Sequence, residues 1–130
     1  MESPLATYLR YLDNGELAFQ VDGPDAQPVF FPRLVAPGSG STDLPWRVSR
    51  GLGTVYATTV VYYKGEAPLN VALIDMDEGF RLMSRVEDIA ATDVRIGMRV
   101  KLRVLPSTET RSALPVFTPV IAPVIAPVQP

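Results

Sequence analysis

The sequence predicts a mainly β protein: a small five-stranded barrel preceded by one α-helix and a Pro-rich, strand-poor segment. Three observations carry this. Runs rich in Val, Ile, Thr and Tyr crowd residues 53–105, two of them joined by Asp77-Glu78-Gly79. Clear helical periodicity is confined to residues 4–13. The length of 130 residues leaves room for one modest core and little for a second folded unit.

In chain order, Ser3 supplies a side-chain cap and Pro4 a first-turn proline. Leu5, Tyr8, Leu9 and Leu12 then recur at helical spacing, which predicts a helix over 4–13 that Asn14-Gly15 ends. From Glu16 to Trp46 two short extended pieces, 17–21 and 29–33, alternate with turn residues. Pro24, Pro28, Pro32, Pro37 and Pro45 fall here, and 37–41 reads as a loop. Residues 53–63 form a long, bent strand and 69–76 a second. The acidic turn leads into 80–86, a hairpin in which Phe80, Leu82 and Ser84 alternate with Arg81, Met83 and Arg85. A helical turn over 87–91 precedes a strand over 94–105, with Met98, Val100, Leu102 and Val104 on one face and Arg99, Lys101 and Arg103 on the other; Gly97 is placed to bend it.

Strands of this length, with a helical turn ahead of the last long one, make the OB-fold the expected barrel, with an open sandwich as competitor. Beyond Ser112, Val-Ile-Ala-Pro occurs twice. Prolines spaced by four block a helix and exclude central strands, so 119–130 is expected as an extended, polyproline-like tail. The organisation that follows is 1–45 for helix and strand-poor segment, 46–118 for the barrel and 119–130 for the tail.

Composition narrows the function. With 47% hydrophobic and 20% charged residues the chain is an ordinary globular protein. A net charge of −2 gives no global pull towards nucleic acid or an anionic membrane. The sequence has no Cys and no His, which removes disulfides, thiolate and imidazole ligands, a Cys nucleophile and the usual neutral-pH base. A self-sufficient enzyme is not expected, and no catalytic residue or metal ligand is assigned. The start carries no basic segment followed by an apolar run, and no stretch approaches the roughly 20 apolar residues of a membrane helix, so the expectation is a cytoplasmic protein with no membrane partner.

Three clusters invite a chemical reading. Asp75, Asp77 and Glu78 could do acid–base work as a stand-alone hydrolase or isomerase, but Asp-Glu-Gly at a hairpin is ordinary turn chemistry. Asp22, Asp25 and Asp43 lack the glycine-punctuated spacing of a Ca²⁺ loop. The stripe Arg81, Arg85, Arg95, Arg99, Lys101 and Arg103, with Tyr56, Tyr62 and Tyr63, defines the alternative function, a single-stranded nucleic-acid-binding OB-fold protein. The plainer reading is a solvated strand face or a surface for a phosphate-bearing small ligand.

The order of motifs is more specific than any one of them. A helix is followed by Gly-Glu-Leu-Ala-Phe-Gln at 15–20, Pro32-Arg33, Gly-Leu-Gly-Thr-Val-Tyr-Ala at 51–57, the acidic turn with Glu78-Gly79, Val-Arg-Ile-Gly-Met-Arg-Val at 94–100, and Pro-Val-Phe-Thr-Pro at 115–119. Over about residues 5–119 the chain resembles the acyl-CoA-associated OB-fold proteins that carry an N-terminal rubredoxin-like zinc ribbon, the family called domain of unknown function 35. In that family two Cys-x-x-Cys pairs hold zinc. Laid on this sequence the four positions fall on Asp22, Asp25, Ala36 and Ser39, so the resemblance implies a degenerate, metal-free ribbon. A structural zinc contributes on the order of 10–16 kcal/mol, so something else, docking on a partner being the favoured source, must order 22–45.

The resemblance further implies a non-catalytic companion of a thiolase-like enzyme, or of a hydratase-like or aldolase-type protein, in a hetero-oligomer acting on acyl-CoA, with the barrel helping to hold the CoA moiety. No other cofactor and no nucleic-acid partner are implied. The residues expected at the partner interface are Leu5, Tyr8, Leu9 and Leu12 on the helix, Arg33 beside the ribbon, Trp46, and Phe117 with the tail; each apolar one has the competing role of packing its own barrel.

Overall fold

A computed structural model describes residues 2–23, 27–30, 32, 33, 40, 42 and 44–120. Helix α1 spans Pro4–Asp13, as its sequence predicts, and the Ser3 Oγ accepts the Ala6 N–H at 3.1 Å. Strands β1 (Ala18–Asp22), β2 (Gln27–Val29) and β3 (Trp46–Val48) form an antiparallel sheet with β1 in the middle. Strands β4 (Leu52–Val61), β5 (Leu69–Met76), β6 (Arg81–Ser84), β7 (Arg99–Leu105) and β8 (Leu114–Pro119) form the second sheet, ordered β6-β5-β4-β7-β8.

That second sheet closes on itself. The Phe117 N–H donates to the Arg85 carbonyl at 3.0 Å and the Phe117 carbonyl accepts the Glu87 N–H at 2.7 Å, a parallel contact that joins the two outer strands into a barrel. Gly53 makes the β4–β5 approach possible, since a Cβ there would lie 2.7 Å from Ile74 Cγ2 and 2.9 Å from the Asp75 carbonyl. Between Val55 and Ala57 the β4–β5 register shifts, which supplies the bend expected of this long strand.

Several expectations need correction. The extended piece placed at 29–33 lies at Gln27–Val29, and Arg33 belongs to no strand. The helical turn placed at 87–91 is a 3-10 turn at Ala91–Asp93. The strand placed at 94–105 begins at Arg99, because Gly97 adopts φ +90° and breaks the extended run ahead of it. Strands β3 and β8 were not expected, β8 because it contains Pro115 and Pro119.

The ladder explains how those prolines fit. Val116 and Thr118 pair with Arg103 and Lys101 of β7, whereas the Phe117 N–H and C=O face the opposite side, towards Arg85 and Glu87. Pro115 and Pro119 share the parity of Phe117, so the N–H each lacks is one that β7 does not need. Pro119 is thus the last residue of a barrel strand; of the proposed tail, residues 121–130 lie outside the described residues.

One core serves both sheets. Leu12 of α1, and Leu17, Phe19 and Val21 in and before β1, pack with Val55, Ile74, Val100 and Phe117 of the barrel. A string of rings runs through it: Tyr8 meets Phe30 edge-on at 5.8 Å, Phe30 stacks on Phe80 at 4.9 Å, and Phe80 meets Phe19 at 4.7 Å.

Candidate partner surface

An apolar face crosses α1, β6 and β8. One groove of about 310 Å³ is lined by Leu5, Tyr8 and Leu9 of the helix, with Phe30, Met83 and Pro115 among the residues opposite. A second of about 300 Å³ continues it between Leu69, Met83 and Pro115 towards Arg85. Leu5 and Met83 stand 58% and 67% exposed, uncommon for large apolar side chains placed side by side along one groove. Burial pushes the Tyr8 hydroxyl up to about 12.

The expected interface residues divide. Leu5, Tyr8 and Leu9 come together here. Leu12, 1% exposed, and Phe117, 0% exposed, lie in the chain's own core instead, where helix packing and barrel closure consume their surface. Trp46 on β3 is half-buried and stacks on Tyr11 at 5.9 Å, so it ties the small sheet to the helix. Arg33 lies beside Gln20 of β1: the buried Gln20 amide donates to the Arg33 carbonyl at 2.8 Å and accepts its N–H at 2.7 Å, acting as a side-chain rung. Met83 and Leu69 were missed. The signal for Met83 was present in the hairpin alternation, which sets this apolar residue on the side of Arg81 and Arg85.

Most of the charged side chains in the two clusters pair with one another, whereas Arg95 donates to the Thr92 carbonyl at 2.8 Å. Arg99 grips Asp77 with two bonds at 2.7 and 2.8 Å, Arg81 pairs with Asp75, and Arg85 and Arg103 share Glu87, with Arg103 reaching Asp88 as well. The Arg99 hydrogen bond holds Asp77 below the usual carboxylate range. Burial raises Glu87, but hydrogen bonds from Arg103 and Arg85 outweigh it and leave that carboxyl low as well. Glu78 accepts the Ser49 hydroxyl and the Arg50 N–H, both at 2.8 Å, which fixes the β5–β6 turn to the connection between β3 and β4. Asp75, Asp77 and Glu78 therefore serve three separate structural partners. Arg81 also lies over the Tyr56 ring at 3.4 Å, so one cation and one ring of the proposed stacking surface satisfy each other.

At the ribbon, Asp22 is buried on β1, while Asp25, Ala36, Ser39 and Asp43 lie outside the described residues. Among the described residues no three acidic side chains gather as a metal site. Two carboxylates, a hydroxyl and a methyl group do not fit a structural zinc, which is held by four sulfur or nitrogen donors.

A five-stranded barrel closed by a parallel contact between its third and fifth strands, with a short helical turn before the fourth, is an OB-fold. The ChsH2 C-terminal OB-fold domain matches residues 46–105. The solved structure described as "Ltp2-ChsH2(DUF35) aldolase" superposes with a TM-score of 0.80 at 28% identity, over 92% of this chain and 96% of that one. A probable enoyl-CoA hydratase alpha subunit of Thermomonospora curvata is 34% identical over 90 residues, which are 66% of this chain and 28% of that protein. This chain thus spans less than a third of that relative's length. The family match and the superposition together support an acyl-CoA-associated OB-fold protein of the kind called domain of unknown function 35. Among the described residues no helix is long and apolar enough to cross a membrane.

Proposed function

We propose that this chain is a non-catalytic accessory subunit of an acyl-CoA-processing complex in the cytoplasm, partnering a thiolase-like or hydratase-like enzyme that carries the chemistry and contributing contacts to the CoA moiety. The observation that carries this is the likeness to the Ltp2-ChsH2 aldolase chain across nearly the whole of both chains. The composition supports it, since the chain has no Cys or His, and its candidate acids Asp75 and Asp77 are each held by a guanidinium. The face running from Leu5 to Met83 is the docking surface assigned to the enzyme.

Purification of the N-terminally tagged chain from its native host at moderate salt, with mass spectrometry and light scattering, tests the reading. A stoichiometric thiolase-like or hydratase-like protein is expected, and a clean monomer without partner or CoA would overturn it. Met83→Glu places a charge in the exposed centre of the face and is expected to weaken the isolated complex at least about tenfold in Kd without moving the unfolding midpoint of the chain.

A further inference from the structure

The ten arginines divide by what their side chains touch. Arg10, Arg81, Arg85, Arg99 and Arg103 are ion-paired, and Arg95 and Arg111 donate to the backbone carbonyls of Thr92 and Pro106. The side chains of Arg33, Arg47 and Arg50 are exposed and have no hydrogen-bond or ion-pair partner among the described residues. Two of these three, Arg47 and Arg50, line one groove of about 330 Å³ between the small sheet and the β5–β6 turn, over Phe19, Val21 and Pro28.

Both are placed by bonds that leave their guanidinium groups unused. Arg47 pairs with Phe19 across β3 and β1, and cross-strand partners share a face, so its side chain rises on the side of the buried Phe19 ring. Arg50 is fixed from either side: the buried Ser49 Oγ accepts the Gly51 N–H at 2.9 Å, and Glu78 accepts the Arg50 N–H at 2.8 Å. Glu78 lines the groove too, but its two oxygens are taken by the Ser49 hydroxyl and the Arg50 N–H and by no guanidinium. Asp77 next to it is gripped by Arg99, whose hydrogen bond holds that carboxyl low, with the charge of Arg50 adding to the effect at longer range. Two guanidiniums against one carboxylate leave the groove cationic.

Unused guanidiniums over an apolar floor form a donor set for phosphate carried on a flat, largely apolar body, since their planar forks match phosphate oxygens. The adenosine bisphosphate end of CoA has this make-up. A nucleic-acid strand would instead require a cationic track along its backbone, which two residues in one groove do not provide.

We propose that the groove between β3 and the β5–β6 turn binds the adenosine bisphosphate end of CoA, with Arg47 and Arg50 holding phosphate above the floor of Phe19, Val21 and Pro28. It rests on the reading that the chain contributes contacts to CoA, and gives those contacts a place. Titration of the isolated full chain with adenosine 3′,5′-bisphosphate, followed by amide NMR shifts, tests it. Saturable shifts are expected at Phe19, Val48 and Gly51, with the Ile74 amide unmoved. Arg47→Gln and Arg50→Gln are each expected to raise Kd at least about tenfold without moving the unfolding midpoint, and adenosine, which lacks phosphate, to bind at least about tenfold more weakly. The absence of shifts at the groove overturns the proposal, as does equal binding of adenosine or equal affinity in the two variants. Enzyme capture by the tagged chain is a separate measurement. Capture without nucleotide at the groove leaves the accessory role standing and removes this site, and nucleotide binding without capture does the reverse. Loss of the enzyme on substituting both arginines, with nucleotide binding unaltered, also overturns the proposal, by assigning the pair to the protein interface.

Discussion

Gln20 shows how one side chain can do the work of a strand. Buried on β1, it gives Arg33 both of the bonds that a neighbouring backbone would offer. Gln20→Ala removes both hydrogen bonds to the Arg33 backbone and is expected to cost about 0.5–1.5 kcal/mol per bond in urea unfolding. Tyr8 is the second residue with a direct readout. Its hydroxyl, pushed up to about 12, titrates above the ordinary tyrosine value of about 10. Between those values the unfolded chain has lost a proton that the folded chain keeps, so stability falls as pH rises through that window. Absorbance titration is expected to show the late ionisation of Tyr8, and Tyr8→Phe to remove it together with its share of the fall in stability.

At the scale of the element, β8 is decided by parity. Val116→Pro removes a rung to Arg103 and is expected to cost about 3 kcal/mol or more, while Pro115→Ala is expected to change the unfolding free energy by less than about 1 kcal/mol. Phe117→Ala, in the core at the barrel's closing contact, is expected to cost about 3–5 kcal/mol. The same parity explains which strands were legible. Helix α1 and β5 could be read to the residue because cap, periodicity and alternation agree locally. β8 could not, since a proline is compatible with a strand only when its nitrogen faces away from the neighbour, and the neighbour is a tertiary fact. β3 is three residues long and exists through its pairing with β1. The candidate surface was half legible for the same reason: the helix displays its apolar face in its own spacing, but whether Leu12 or Leu5 remains outside depends on what packs beneath them.

Across the whole molecule, the ion pairs set the charge behaviour. Arg99–Asp77 and the pairing of Arg85 and Arg103 with Glu87 and Asp88 reduce the potential that the basic strand face offers to phosphates. The purified chain is accordingly expected to show no salt-dependent binding of single-stranded DNA. Asp77 and Glu87 are held below their ordinary values, so the stability they contribute is complete above the unfolded carboxylate pKa of about 4 and is lost as pH falls through the folded values. The thermal midpoint is expected to be level from pH 7 to about 5 and to fall below about 4, with Asp77→Asn removing part of that fall. Because the pairs are exposed, the effect is modest and shrinks in salt.

The string of rings from Tyr8 through Phe30 and Phe80 to Phe19 has a thermal signature of its own. A metal clip is a bond that chelators and oxidants can take away, whereas stacked rings hold by excluding water, and that attraction weakens on cooling. The joint that these rings make between the small sheet and the barrel is governed by heat capacity, tightest at moderate temperature and loosening towards the cold.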